Sequence, residues 1–462
     1  MNYESPFSNR YGSPEMRGVW SEVAKRRAWR RVWAAVAQAQ AAAGLVSPEA
    51  VDDLRAHLQD IDLSRAAEIE AVVGHDLQSE LQTYAEQCPL GGPILHWGMT
   101  SADVQDNADI VRQRAALGLL LRRLREVLLR LAERIDSAAD MVVLGYTHLQ
   151  PAEPTTLGYR LSGYAQDLLA CHDHLARLRP ALRGKGIRGS VGTAATFVEM
   201  LAESDVTPDM LEATVLEALG IEAHLITTQT YPRLQDYRLL AGLAELAAAL
   251  HKFAFDLRLM QSSAVGQVHE PFGEQQVGSS AMPFKRNPVL AERICSLARL
   301  VAAGAGVAWD NAATTLLERT LDDSANRRSI IPEAFLACDE MLLTAEKIVT
   351  GLEIDEQAAA EQLQVLGPLV ATERLLTALV RAGADRQAMY ERLRRHTRGA
   401  LERARAGDPN PLPDRLAADT AILHFLQPAR VRSLLDASTY VGQAPRRARQ
   451  MAARLRERFS AG

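Results

Sequence analysis

The sequence predicts an all-α protein of three helical domains, the middle one a central bundle of long helices. Three observations carry that prediction. From Leu117 the apolar residues Leu121, Leu124, Leu128, Leu131 and Ile135 recur at alternating spacings of four and three, with Arg122, Arg125 and Arg130 on the other faces. That is the stripe of a helix packed along one side. Similar Ala- and Leu-rich stretches, poor in β-type alternation, run from about Tyr159 to Leu178, Tyr237 to Met260, Val289 to Trp309 and Ile330 to Leu352. Aromatic residues make up only 5% of the chain, which suits helices packed through aliphatic side chains.

Taken in order, residues 1–100 read as an N-terminal domain of shorter helices broken at Gly74, Pro89 and Gly91-Gly92-Pro93. Residues 101–352 hold the long helices. Residues 353–462 are more charged and broken at Gly407, Pro409, Pro411 and Pro413, a C-terminal helical domain. No internal repeat or low-complexity tract interrupts the chain.

A chain of 462 residues buries a large core. Its net charge of −5, with both signs interspersed, argues against a nucleic-acid-binding field or a polybasic membrane patch. An anionic substrate has to be held by local arginines. Cys88, Cys171, Cys295 and Cys338 lie far apart with no Cys-x-x-Cys pair, as expected of thiols in a reducing compartment, the cytoplasm by default. Met1 to Ser8 lacks a basic-then-apolar leader, and no apolar run is expected to reach the ~18 residues that span a bilayer.

The chemistry is expected in polar loops between helices. Gly278-Ser279-Ser280-Ala281-Met282-Pro283-Phe284-Lys285-Arg286-Asn287-Pro288 sets two hydroxyls, a lysine, an arginine and an asparagine between a glycine and two prolines, more donors than a turn requires. His96-Trp97-Gly98-Met99-Thr100-Ser101-Ala102-Asp103 leads into a long helix, where Thr100 or Ser101 serves as an N-cap and where an anion is equally welcome. Thr147-His148 stands before a break at Pro151. Histidine there suits proton donation, because its unperturbed pKa lies near neutrality.

Two further patterns are set aside. Gly184-Lys185-Gly186-Ile187-Arg188-Gly189 matches G-x-G-x-x-G but follows a helical stretch, not a strand, so it predicts no dinucleotide fold; its N–H groups remain able to cradle a carboxylate. His172 and His174, two apart on a helix, point to different faces and make poor joint metal ligands.

Three loops in this order, His96-x-Gly-x-Thr-Ser, Thr147-His148-x-Gln-Pro-Ala and Gly278-Ser-Ser-x-Met-Pro-x-Lys-x-Asn-Pro, resemble the shared regions of the fumarase/aspartase superfamily. The adenylosuccinate lyase branch is singled out by Ser8 to Met16 (SNRYGSPEM), Gly74-His75-Asp76, Gln229-Thr230-Tyr231, Met282 to Pro288 (MPFKRNP) and Glu318 to Arg328 (ERTLDDSANRR). The resemblance runs from about Ser8 to the Val441–Pro445 segment. It implies elimination of fumarate from N-succinyl purine nucleotides without cofactor or metal. It also implies a homotetramer that pools its central bundles into a helical core and shares active sites between subunits.

By the same resemblance Ser279 is the general base and His148 the general acid, with Lys285, His75 and Glu292 in the catalytic group. Arg10, Tyr11, Arg319, Ser324 and Arg328 match positions that hold a nucleotide phosphate, which arginine binds through its planar fork. His96, Thr100, Ser101, Thr147, Gln229 and Asn287 match substrate-contacting positions. Two departures leave other readings open: Pro232-Arg233-Leu234 replaces Ser-Arg-Lys, and Phe284 replaces tyrosine. Those readings are a lyase for another N-succinyl compound, such as a hydrazine or amine, a sister enzyme of the superfamily, and a non-catalytic scaffold.

Overall fold

Long helices occupy the stretches that the apolar stripes mark: Ser101–Ser137, Leu157–Ala181, Leu234–Met260, Val289–Thr314 and Ser324–Thr350. In the first of these Leu117, Leu124, Leu128, Leu131 and Ile135 are fully buried, while Arg122 and Arg130 face solvent. Each such leucine contributes roughly 1.5–3 kcal/mol by leaving water. The computed structural model describes residues 3–405 and 409–460, so the break expected at Gly407 lies outside the described residues.

The chain forms two compact units. One comprises residues 1–124, 171–248 and 296–343, the other 125–170, 249–295 and 344–462. Every passage of the chain between them falls inside a long helix.

In the first unit the helix Glu22–Ala42 starts at Ser21, whose hydroxyl accepts from Ala24 N at 3.2 Å, and it buries Trp29, Val32, Trp33 and Val36. The N-terminal segment is tied to the Ser324–Thr350 helix: Gly12 N donates to Glu340 Oε2 at 3.1 Å and Ser13 N to Asp339 Oδ2 at 2.6 Å. That anchorage fixes the backbone beside Arg10 and Tyr11.

In the second unit an antiparallel hairpin, β1 (Val142–Thr147) and β2 (Gln150–Thr156), turns through His148 and Leu149. A further core gathers Leu375, Leu379, Leu393, Leu412, Leu416 and Ile422. Contrary to expectation, one segment, Glu356–Arg381, is long and apolar enough to cross a membrane. It consists of two helices, Glu356–Val370 and Thr372–Arg381, and Leu375, Leu376 and Leu379 of the second join that core. Part of its apolar surface is therefore packed in that core, although little of the first helix is buried.

Candidate active site

Asp103 organises the loop ahead of the Ser101–Ser137 helix. Thr100 N donates to Asp103 Oδ2 at 2.7 Å, so the carboxylate reaches back across the first turn as in a capping box. The same buried group pairs with the Lys185 ammonium and accepts from Arg188 N at 3.0 Å and Gly189 N at 3.2 Å. The G-x-G-x-x-G loop thus does cradle carboxylates, and they are the protein's own. Glu212 Oε2 takes Ile187 N at 2.8 Å and Arg188 Nε at 2.9 Å. A Cβ on Gly186, at φ +86°, would lie 2.2 Å from that oxygen, so only glycine fits there. Thr100 and Ser101 are held in place by this cluster.

Two histidines flank that loop within the same unit. His96 sits at φ 64°, and its Nδ1 accepts from Trp33 Nε1 at 3.1 Å. Burial, with His75 adding to it, pushes its pKa below the ordinary value against the pull of Asp103. His75 precedes the Asp76–Gln87 helix, and its Nδ1 accepts from Gln78 N at 3.4 Å.

Arginines gather at the start of the Ser324–Thr350 helix. A cavity of about 210 Å³ is lined by Trp20, Lys25, Asp76, Arg319, Ser324 and Arg328, among others. Arg319 NH1 donates to Asp323 Oδ1 at 2.9 Å, and the other side of Asp323 takes Arg233 Nε at 2.6 Å. Arg233 then grips Asp106 with two N–H···O bonds of 3.1 Å each. Arg328 NH1 lies 2.8 Å from Asp76 Oδ2. Burial raises the Asp76 carboxyl, but Arg328 and Lys25 outweigh it and hold the pKa below the usual carboxylate range. A helix N-terminus with two arginines forms a ready anion site. Gln229 N donates to Glu318 O at 3.3 Å, joining its segment to the one that carries Arg319. Arg10 is exposed, its guanidinium 5.7 Å from the Tyr11 ring centre.

The second unit holds Thr147, His148, Ser279, Lys285, Asn287 and Glu292. His148 and Leu149, at φ 53° and 59°, form the hairpin tip, where both are exposed. Two successive left-handed residues match the primed turn that suits strand twist, although neither is glycine. In the serine loop, Ser279 Oγ accepts from Ala281 N at 3.3 Å and Met282 N at 3.0 Å. The loop closes on itself: Asn287 Nδ2 donates to Gly278 O at 2.9 Å, and a Cβ on Gly278 would stand 2.1 Å from Lys285 O. Its far end is fixed by Glu270, whose buried carboxylate accepts from Leu290 N and Ala291 N, each at 3.0 Å, at the start of the Val289–Thr314 helix. Glu292 lies 3.9 Å from Arg258, one turn further on.

The family described as lyase matches residues 9–303, and the adenylosuccinate lyase C-terminus family matches residues 368–451. The adenylosuccinate lyase of Saccharomyces cerevisiae is 38% identical over 453 residues, covering 96% of this chain and 92% of that protein. The chain belongs to the adenylosuccinate lyase family. Its Schistosoma mansoni relative is 36% identical over the same shares, and that of Pyrococcus horikoshii is 35% identical, covering 84% of this chain and 85% of its own. Among solved structures, a fumarate lyase from Mesorhizobium sp. BNC1 superposes with a TM-score of 0.85 at 23% identity, covering 98% of this chain and all of that one (100%), a likeness of fold alone. A 3-carboxy-cis,cis-muconate lactonizing enzyme from Pseudomonas putida gives a TM-score of 0.87 at 25% identity, covering 98% and 99%.

As a member of the adenylosuccinate lyase family, the chain is a C–N lyase. The first unit contains Arg10, Tyr11, His75, His96, Thr100, Ser101, Gln229, Arg319, Ser324 and Arg328. Sequence reasoning missed the supporting carboxylates: Asp76 beside Arg328, Asp323 beside Arg319, Asp106 beside Arg233 and, in the second unit, Glu270 at the start of the Val289–Thr314 helix. Asp103 was visible as part of a T-S-x-D start, and Asp323 stood inside the Arg319 to Arg328 run. Nothing local marked Glu270, whose partners are 20 and 21 residues away. Arg233, retained between the departures Pro232 and Leu234, is buried as the bridge between Asp106 and Asp323.

Proposed function

We propose that this lyase eliminates fumarate from adenylosuccinate and from SAICAR in purine biosynthesis, with Ser279 as general base and His148 as general acid. Ser279 Oγ takes the proton from the succinyl carbon next to a carboxylate. The resulting carbanion expels the nitrogen, the C–N electron pair goes to that nitrogen, and His148 protonates it; fumarate and AMP, or AICAR, leave. Lys285 and Asn287 stabilise the charge that develops on the succinyl carboxylate. Arg319, Ser324 and Arg328, with Arg10 and Tyr11, hold the phosphate. His75 and Glu292 orient His148 or the substrate, and His96, Thr100, Ser101, Thr147 and Gln229 line the rest of the site.

One observation supports the base assignment above the others. A serine hydroxyl is a weak base, and its alkoxide needs donors aimed at it. Ser279 Oγ already accepts two backbone N–H bonds, from Ala281 at 3.3 Å and Met282 at 3.0 Å. Those bonds strengthen as negative charge grows on the oxygen, because a charged acceptor roughly doubles their worth. Replacing Ser279 by alanine removes the acceptor and leaves the loop backbone in place. The expected outcome is a fall in kcat of at least ~10²-fold with an unchanged circular dichroism spectrum. Wild-type turnover by Ser279→Ala, read as fumarate absorbance, overturns the assignment. The reading further places the enzyme in the cytoplasm as a homotetramer.

A further inference from the structure

We infer that Trp33 is a positioning residue that fixes the tautomer of His96, so that His96 presents Nε2–H to the substrate as a hydrogen-bond donor. The inference rests on the proposed place of His96 in the site. Indole Nε1–H is a donor only. It lies 3.1 Å from His96 Nδ1, so Nδ1 must be the acceptor, and in neutral imidazole the remaining proton then sits on Nε2.

The surroundings make this arrangement rigid. Trp33 is 1% exposed and packs edge-on to the imidazole, ring centres 6.1 Å apart at 79°. Seven residues on, along the same face of the Glu22–Ala42 helix, Gln40 Nε2 donates to Trp97 O at 3.3 Å. One helix face therefore grips two successive loop residues. That grip sustains His96 at φ 64°, a left-handed conformation that L-residues other than asparagine and aspartate seldom adopt.

The same contact keeps the ring neutral. An imidazolium would turn an N–H toward the indole N–H, two donors facing each other. The other charged groups acting on the ring oppose one another: Asp103 favours protonation and His75 disfavours it, while burial adds to the second. A neutral donor suits a polarised carbonyl or carboxylate oxygen of a succinyl nucleotide.

Trp33→Phe deletes the N–H and keeps an aromatic ring. We expect KM for adenylosuccinate to rise roughly 3- to 10-fold, the worth of one hydrogen bond. The acid limb of the kcat/KM profile should move to higher pH, since protonation of Nδ1 is no longer opposed. A purely structural role would lower the unfolding midpoint and leave the profile where it was, and an unmoved profile overturns the inference. Should Trp33→Phe fail to fold, nitrogen-15 spectra of the histidine-labelled wild type decide. The signal lost in His96→Gln must show a protonated Nε2 and a bare Nδ1, and the opposite tautomer overturns the proposal. His96→Gln also separates the two readings. A wild-type KM in that variant removes His96 from the site altogether, whereas a raised KM there with an unmoved Trp33→Phe profile sinks the role of Trp33 alone.

Discussion

Asp323 shows how a single buried side chain governs a proposed binding group, Arg319, that it never replaces. It accepts from Arg319 NH1 with both oxygens, at 2.9 and 3.0 Å, and from Arg233 Nε with one of them, at 2.6 Å, and is 2% exposed. Burial raises its pKa, but Arg233, Arg319 and Arg327 outweigh that and leave it below the ordinary 3.8. Asp323→Asn leaves Arg233 and Arg319 without their shared counter-charge, and breaking such a pair costs about 3–5 kcal/mol. Urea denaturation at neutral pH should show that loss, and phosphate-bearing substrate should bind more weakly because Arg319 is no longer held. The sign with pH follows from the depressed pKa. The stabilisation is complete above 3.8, and is lost as pH falls through the lower folded value. The gap between wild type and Asp323→Asn should therefore be constant near neutrality and narrow in acid; a gap that widens in acid refutes the account. At this scale the arginines were legible, since a run holding Arg319, Ser324 and Arg328 is bound to gather donors. Their carboxylate holders were not, because the partner of Asp323 on its other side is Arg233, 90 residues away.

The elements divide sharply into those that local pattern announces and those that tertiary contacts create. Leu117 to Ile135 carried enough turns of apolar spacing to predict the Ser101–Ser137 helix. The β1–β2 hairpin left no such trace. Its alternation is short, Pro151 and Pro154 lie in the second strand, and its turn residues, His148 and Leu149, are not the glycines that mark a primed turn. The strands are held from elsewhere: Tyr146 Oη donates to Gln362 Oε1 at 3.2 Å, and Arg160 NH2 bonds Leu144 O at 2.5 Å. The start of the Val289–Thr314 helix is likewise set from a distance, by Glu270. Burial raises the Glu270 pKa against the bonds from Leu290 N and Ala291 N. Glu270→Gln replaces one acceptor by a donor facing an N–H, a mismatch of about 1–3 kcal/mol. Hydrogen exchange at Leu290 and Ala291 should quicken, and kcat should fall through a looser Asn287 end of the serine loop. Exchange as slow as in wild type would show that the helix start does not depend on Glu270.

For the whole molecule, the decisive fact is what the single chain leaves uncovered. Large apolar side chains stand exposed along the long helices, among them Tyr159, Phe255, Leu259, Leu300 and Trp309, the last two at 44% and 53%. Exposed apolar surface of this kind on long helices is what association between identical chains buries. The proposed catalytic pair is also open to solvent on its own unit, His148 exposed at a hairpin tip and Ser279 half-buried on a closed loop. An exposed acid and a base only half-buried cannot exclude water from a carbanion unless another surface closes over them. Both requirements are met together if subunits of a homotetramer supply one another's missing walls. The consequence is testable without a structure of the assembly. Ser279→Ala and His148→Ala are each expected to be inactive as pure proteins. After denaturation and joint refolding, some sites draw the serine from one parent and the histidine from the other, so activity should return in part. Native mass spectrometry on isotope-labelled parents reports whether mixed tetramers formed. Mixed tetramers without activity would mean that Ser279 and His148 act within one chain, and the shared-site proposal would then fail while the tetramer itself stood.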